Sequence, residues 1–125
     1  MRKELSKIVE KVMKDGDVLA MMLFGSYARG EKFSDIDICI IMQPKNFNAL
    51  SLSKKRLEYL TDFPDYDVRV FQQLPLYVRM RVLKEGKIIF CRDEDAMYDL
   101  AIRAIREFEY FKPIYYTYLE GVLHA

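Results

Sequence analysis

No charge of either sign dominates this chain of 125 residues: twenty Lys and Arg stand against nineteen Asp and Glu, for a formal net charge of +1. Without an overall field, composition gives no reason to expect a nucleic-acid or membrane partner. Cysteine is equally scarce. Cys39 and Cys91 both lie in strand-like apolar runs with no CxxC spacing and no histidine partner, so buried free thiols are expected rather than a disulfide or a zinc site. His124, the one histidine, falls in the last two residues, where fraying is the default, and is given no role. The longest uninterrupted apolar run, Val18 to Phe24, is far too short to span a bilayer, and the N-terminus carries no apolar core of a signal peptide. A cytoplasmic protein is expected. Internal repeats, low-complexity tracts and linkers are missing too, so residues 1–125 read as one domain.

What is present is a chain 51% hydrophobic and 31% charged, enough apolar material at this length for a core that needs neither disulfide nor structural metal. Leu5, Ile8, Val9, Val12 and Met13 recur at helical spacing, with Lys3, Lys7, Glu10, Lys11 and Lys14 on the other side. This pattern predicts an amphipathic opening helix that stops near Asp15-Gly16, with Gly16 in the left-handed conformation that ends helices. Val18 to Phe24 reads as a buried strand closed by Gly25-Ser26. A short helical turn, Ser26 to Arg29, then ends at Gly30, and a second strand runs from Asp35 to Met42 before Pro44. Phe47 to Leu60 fits a second amphipathic helix, with Phe47, Leu50, Leu57 and Leu60 inward and Lys54, Lys55 and Arg56 largely solvated.

Thr61 to Asp65 is a turn, Tyr66 to Phe71 a third strand, Leu74 to Glu85 a helix with Pro75 in its first turn, and Lys87 to Cys91 a fourth short strand. Asp93 is the expected N-cap of a long helical segment reaching about Leu123, which Pro113 is expected to kink or split. The alternation predicts an α/β or α+β domain, helices against a small sheet of about four strands. A core over about residues 1–92 is followed by a helical segment over about 93–124.

Chemistry concentrates in LFGSYARGEKFSDIDICI, Leu23 to Ile40. Gly25 allows close backbone approach, and Ser26 at a helix start offers a hydroxyl beside unpaired backbone N–H groups, a seat for phosphate. Taken alone, Gly-Ser after an apolar strand is an ordinary turn. Asp35 and Asp37, two apart on a strand, point to one side while Ile36, Ile38 and Ile40 face the core. Adjacent carboxylates opening an apolar strand are costly unless a cation joins them, and magnesium, which takes oxygen ligands and bridges carboxylates to phosphates, meets that need. Asp67, alternating with Val68 and Val70 in a later strand, is the candidate third carboxylate. It would complete a two-metal clamp and take a proton from an attacking hydroxyl. Asp65 has the same parity but sits in the turn after Pro64.

These residues resemble the minimal nucleotidyltransferase (MNT) domains of the DNA polymerase beta superfamily, marked by a Gly-Ser turn followed by DxD and a third carboxylate in a later strand. Leu74 to Cys91 (LPLYVRMRVLKEGKIIFC) also looks like the family's continuation, and the likeness is closest to MNT antitoxins encoded beside HEPN-domain toxins. One departure stands out: eight residues, Tyr27 to Ser34, separate Ser26 from Asp35, a shorter loop than the family commonly carries. The resemblance implies that Gly25 and Ser26 bind the triphosphate of ATP. It also implies that Asp35 and Asp37 hold magnesium, two ions being expected, and that Asp67 is third ligand and base. The implied reaction transfers AMP from ATP to a hydroxyl, in antitoxins of this kind a tyrosine of the HEPN ribonuclease, and silences the toxin.

Outside the motif, Arg29 and Arg69 are candidates to neutralise phosphate charge, against the alternatives of a helix cap and a simple ion pair. Ser34 reads as a turn residue before a nucleotide contact. Along the C-terminal helix, Met97, Leu100, Ala104, Phe108, Phe111, Tyr115, Leu119 and Val122 form a stripe that Tyr98, Ile102, Ile105 and Tyr116 broaden. Such a surface is either a core helix with tolerated tyrosines or a docking face for a partner or a second copy. Two further functional readings stay open: a binding module that masks a toxin without catalysis, and a small-molecule nucleotidyltransferase of the aminoglycoside-modifying kind. The basic cluster Lys54 to Arg56 lacks interleaved aromatics and does not argue for direct nucleic-acid binding.

Overall fold

The computed structural model describes residues 3–25 and 36–123. The expected turn from Ser26 to Arg29, and with it Ser26, Arg29, Ser34 and Asp35, lies outside the described residues, as does His124. Helix α1 (Lys3–Lys14) buries Leu5, Ile8, Val9 and Val12. Met13, expected inward, is exposed because its position falls roughly a quarter turn from the centre of that stripe. Strands β1 (Val18–Phe24), β2 (Ile36–Met42), β3 (Tyr66–Val70) and β4 (Lys87–Cys91) form one sheet in the order β3-β2-β1-β4. β1 is antiparallel to β2 and β4, whereas β2 is parallel to β3. A parallel neighbour requires a crossover, and α2 (Ala49–Asp62) provides it.

Alternation along β2 divides the core in two. Ile36, Ile38, Ile40 and Met42 join Leu5, Ile8, Val12 and Tyr59 beneath α1 and α2. On the other face, Cys39 and Ile41 join Val82, Met97 and Ala104 beneath α3 (Leu76–Glu85) and α4 (Glu94–Leu123). This is the expected α/β arrangement, a mixed sheet of four strands between helices. Phe71 does not extend β3; it opens a 3-10 turn, Phe71–Gln73, whose Gln72 side chain takes up the edge of β2, donating to Met42 O (2.9 Å) and accepting from Met42 N (3.1 Å). Both cysteines are free, and burial pushes the Cys39 thiol up to about 12, which leaves it unreactive. No helix among the described residues is long and apolar enough to cross a membrane.

Two expectations fail at the end of α1 and on α2. Gly16 does not take a left-handed conformation; among the described residues only Gly25 has a positive φ. The carbonyls at the end of α1 are met instead by Arg92, just after β4. Its NH2 donates to Val12 O (2.9 Å), Met13 O (3.0 Å) and Asp15 O (3.2 Å), and its Nε donates to Val18 O (2.9 Å). A guanidinium at a helix C-terminus satisfies orphan carbonyls and the dipole together, so no glycine cap is needed. Phe47, just before α2, and Leu60 pack against the core as expected, but Leu50 and Leu57 are exposed, while Leu52 and Tyr59 are buried with Lys55 and Arg56 on their side. Long basic stems cover apolar surface and deliver their charge to partners, so a face counted by leucines alone comes out rotated.

Those partners include Asp15. Its carboxylate accepts from Lys55 Nζ (3.0 Å), Tyr59 Oη (2.9 Å) and the Asp17 backbone N–H (3.2 Å). Burial opposes the charged form, but the Lys55 and Tyr59 hydrogen bonds outweigh it and hold the Asp15 carboxyl below its ordinary value of 3.8. Burial and the neighbouring Asp15 carboxylate both push the Tyr59 hydroxyl up.

Helix α4 starts as expected, with Asp93 Oδ1 accepting from Ala96 N (3.1 Å). Pro113 does not split it: the helix runs on to Leu123. Met97 and Ala104 are buried, but farther along Tyr110, Phe111, Ile114, Tyr116, Tyr118 and Val122 are all exposed. The expected stripe therefore covers the core only with its first half.

A carboxyl whose folded pKa is lowered contributes stability above its unfolded pKa and loses it as pH falls through the folded value. Asp15→Asn should thus lower stability at pH 7 by about 1–3 kcal/mol and flatten the acid limb of the wild-type curve below about pH 4. Urea denaturation at pH 7, 5 and 3 checks this; two curves falling in parallel would refute it.

Candidate active site

In the parallel ladder of β2 and β3, Asp37 stands in register with Asp67 and Cys39 with Arg69. Residues paired across strands share a face and lie about 4.8 Å apart along the hydrogen-bonding direction. The two carboxylates therefore project side by side, on the face of Cys39 and Ile41. β2 is otherwise apolar, and Asp37, half-buried, is its one charged residue.

On the other side of Asp37 lies the end of β1, where Phe24 is its antiparallel partner. Gly25 follows at φ 72°. A Cβ built there would fall on Asp37 Oδ2, closer than any real contact. The glycine thus does two things, taking a left-handed conformation that L side chains rarely adopt and letting the backbone lie against a carboxylate. A small cavity of about 150 Å³ opens beside it, lined by Phe24, Gly25, Val78, Arg81, Val82 and Glu85.

Asp67 sits on the edge strand, about a third exposed, between two guanidinium groups. Arg69 Nε lies 3.4 Å from Oδ2, and Arg56 NH2 lies 4.0 Å from Oδ1. Arg56 reaches from α2 and donates through Nε to Val68 O (2.9 Å). The ion pair weighed for Arg69 is present, with Asp67 as its partner, and so lies beside Asp37 rather than away from it. Asp65 is exposed in the turn before β3.

Of the residues singled out in the sequence, the structure brings together Gly25, Asp37, Asp67 and Arg69; Ser26, Arg29 and Asp35 lie outside the described residues. Arg56 was missed because its helix face was misassigned. Its spacing from Leu52 and Tyr59, four and three residues away, was the available signal. Among the described residues no three His, Cys, Asp or Glu side chains stand together. Asp37 and Asp67 nonetheless supply paired hard oxygen donors, the chemistry that suits magnesium. A larger hollow of about 470 Å³ lies between α1 and α2, but Lys11 and Lys55 in its wall are already paired with Glu58 and Asp15.

Gly25→Ala should destabilise the protein by about 1–2 kcal/mol for the left-handed conformation, with a further cost from overlap with Asp37. The double variant Gly25→Ala/Asp37→Ala isolates that second part: its loss should fall short of the sum of the single losses by about 1 kcal/mol. Strict additivity in thermal or urea denaturation would show that the two residues do not touch.

The family model for polymerase beta nucleotidyltransferases matches residues 6–95. A protein of Methanocaldococcus jannaschii named as a protein adenylyltransferase is 39% identical over 75 residues, 58% of this chain and 56% of its own length. The chain thus spans little more than half of that relative. The fold is also that of a chain in the crystal structure of a toxin–antitoxin with AMP-PNP (TM-score 0.72, 18% identity, 98% of this chain and 99% of that one). It is shared as well by a chain in the complex of a tri-AMPylated Shewanella oneidensis HEPN toxin with MNT antitoxin (TM-score 0.69, 17% identity, 96% of each). With its sheet, its glycine turn and its strand-borne carboxylates all inside the matched segment, the chain belongs to the polymerase beta nucleotidyltransferase family.

Proposed function

We propose that this chain is a magnesium-dependent protein adenylyltransferase that moves AMP from ATP to a tyrosine hydroxyl of a HEPN-type toxin and so acts as its antitoxin. The observation that carries the reading is the in-register pair Asp37 and Asp67 beside the left-handed Gly25. Family membership supports nucleotidyl transfer, and the relative named as a protein adenylyltransferase supports a protein acceptor. The toxin–antitoxin complexes that share the fold favour the HEPN partner, and ATP use with two free thiols suits a cytoplasmic location.

In this reading Gly25 and Ser26 seat the triphosphate. Asp35, Asp37 and Asp67 would hold two magnesium ions, which would offset negative charge on the triphosphate and on the pyrophosphate leaving group. Asp67, on the outer strand, takes the proton from the acceptor hydroxyl. That oxygen bonds to the α-phosphorus, the bond from the α-phosphorus to the bridging oxygen breaks, and pyrophosphate leaves with the electron pair. Arg29 and Arg69 offset charge on the phosphates. Residues 1–92 form the transfer core, and the exposed second half of α4 meets the acceptor protein.

The test is label transfer. Chain, magnesium and ATP labelled at the α-phosphate, incubated with the protein encoded beside it, should label that protein on tyrosine. Asp37→Asn and Asp67→Asn should each cut the rate on the order of a hundredfold or more with the fold intact. No labelling by the wild type would defeat the proposal; toxin neutralisation that survives both substitutions would leave a masking antitoxin instead.

A further inference from the structure

We infer that Arg56 is a resident counter-ion of the metal site: it holds the Asp67 carboxylate until a divalent cation arrives, and so sets how much cation is needed to fill the site. The inference rests on the reading of Asp37 and Asp67 as cation ligands and goes beyond it.

Two carboxylates directly opposite each other on neighbouring strands repel. A cationic side chain beside such a pair lowers the repulsion whenever no metal is bound. Arg56 is placed to do so. Its Nε donates to Val68 O, the carbonyl next to Asp67 in the chain, which ties the guanidinium to the strand that carries the carboxylate. Its NH2 then stands 4.0 Å from Asp67 Oδ1. Arg69 lies nearer, its Nε 3.4 Å from the other oxygen, but it comes from the same strand as Asp67; its side chain is 48% exposed against 38% for Arg56. Arg56 comes from the crossover helix, packed on the sheet by the buried Leu52 and Tyr59 on either side of it.

The same placement opposes a metal. A guanidinium held near a ligand oxygen repels a dication approaching that oxygen, by an amount that water and salt reduce without abolishing. Removing the charge should loosen the cation-free site and tighten cation binding together, a combination that a purely structural role for Arg56 would not produce.

The full chain with Mn2+ as probe tests this without turnover. Free Mn2+ is measured by electron paramagnetic resonance and melting by calorimetry, in chelator and in Mn2+. Arg56→Gln should bind Mn2+ about three- to tenfold more tightly than the wild type. It should melt lower in chelator and gain more from Mn2+. Arg56→Lys, which keeps the charge, should bind Mn2+ within about twofold of the wild type. Arg56→Met, which keeps the apolar stem, should behave as Arg56→Gln and substitutes for it if that variant does not fold. Unchanged or weaker Mn2+ binding in the neutral variants overturns the inference alone, provided the wild type binds Mn2+ and Asp37→Asn does not. A wild type that binds no Mn2+ overturns both this inference and the metal site it rests on.

Discussion

Because β2 and β3 run parallel with Asp37 opposite Asp67, a like-charged pair is built into the sheet itself, and much of the surrounding structure answers to it. Opposed like charges on paired strands cost roughly 0.2–1 kcal/mol, a sum the apolar remainder of β2 easily carries. The register cannot slip to escape that cost. A shift of one residue would turn Ile36, Ile38 and Ile40 out of the core beneath α1 and α2. Hydrophobic burial thus holds two carboxylates where electrostatics alone would part them, the kind of local conflict expected where a surface does chemistry.

Parallel pairing in turn makes α2 a necessity, since the chain must cross from the end of β2 to the start of β3. That helix does more than connect. Its inner face brings Lys55 and Tyr59 to Asp15 at the end of α1, and Arg56 to Asp67 on β3. One element thus ties down the end of α1 through Lys55 and Tyr59 and reaches Asp67 through Arg56. Arg92 plays a comparable tying role at β4, joining the last strand to the carbonyls of α1 and β1.

The second half of α4 stands apart from this economy. Six large apolar or aromatic side chains between Tyr110 and Val122 are exposed, more than scattered surface hydrophobes explain. Leu76, Tyr77, Phe108, Phe111 and Ile114 line a hollow of about 300 Å³ where this half leaves the body.

Strand and helix positions were legible because period-two and period-3.6 patterns are local, and β1, β2, β4 and the Asp93 cap all stand where those patterns put them. The pairing of Asp67 with the motif on β2 was legible for the same reason: alternation assigns a strand residue to one side, and two such sides had only to meet. Less was legible where a residue's role depends on a distant partner. Counting leucines turned α2 by the wrong face, because Lys55 and Arg56 look solvated until Asp15, Asp17 and Asp67 are seen beneath them. Gly16 looked like a helix cap until Arg92, more than seventy residues later, proved to supply it. The order of the main elements and the buried faces of β1 and β2 could be read from local pattern alone. Tertiary structure alone decided which charges meet, because ion pairs and caps join groups far apart in the chain, and no local periodicity encodes that proximity.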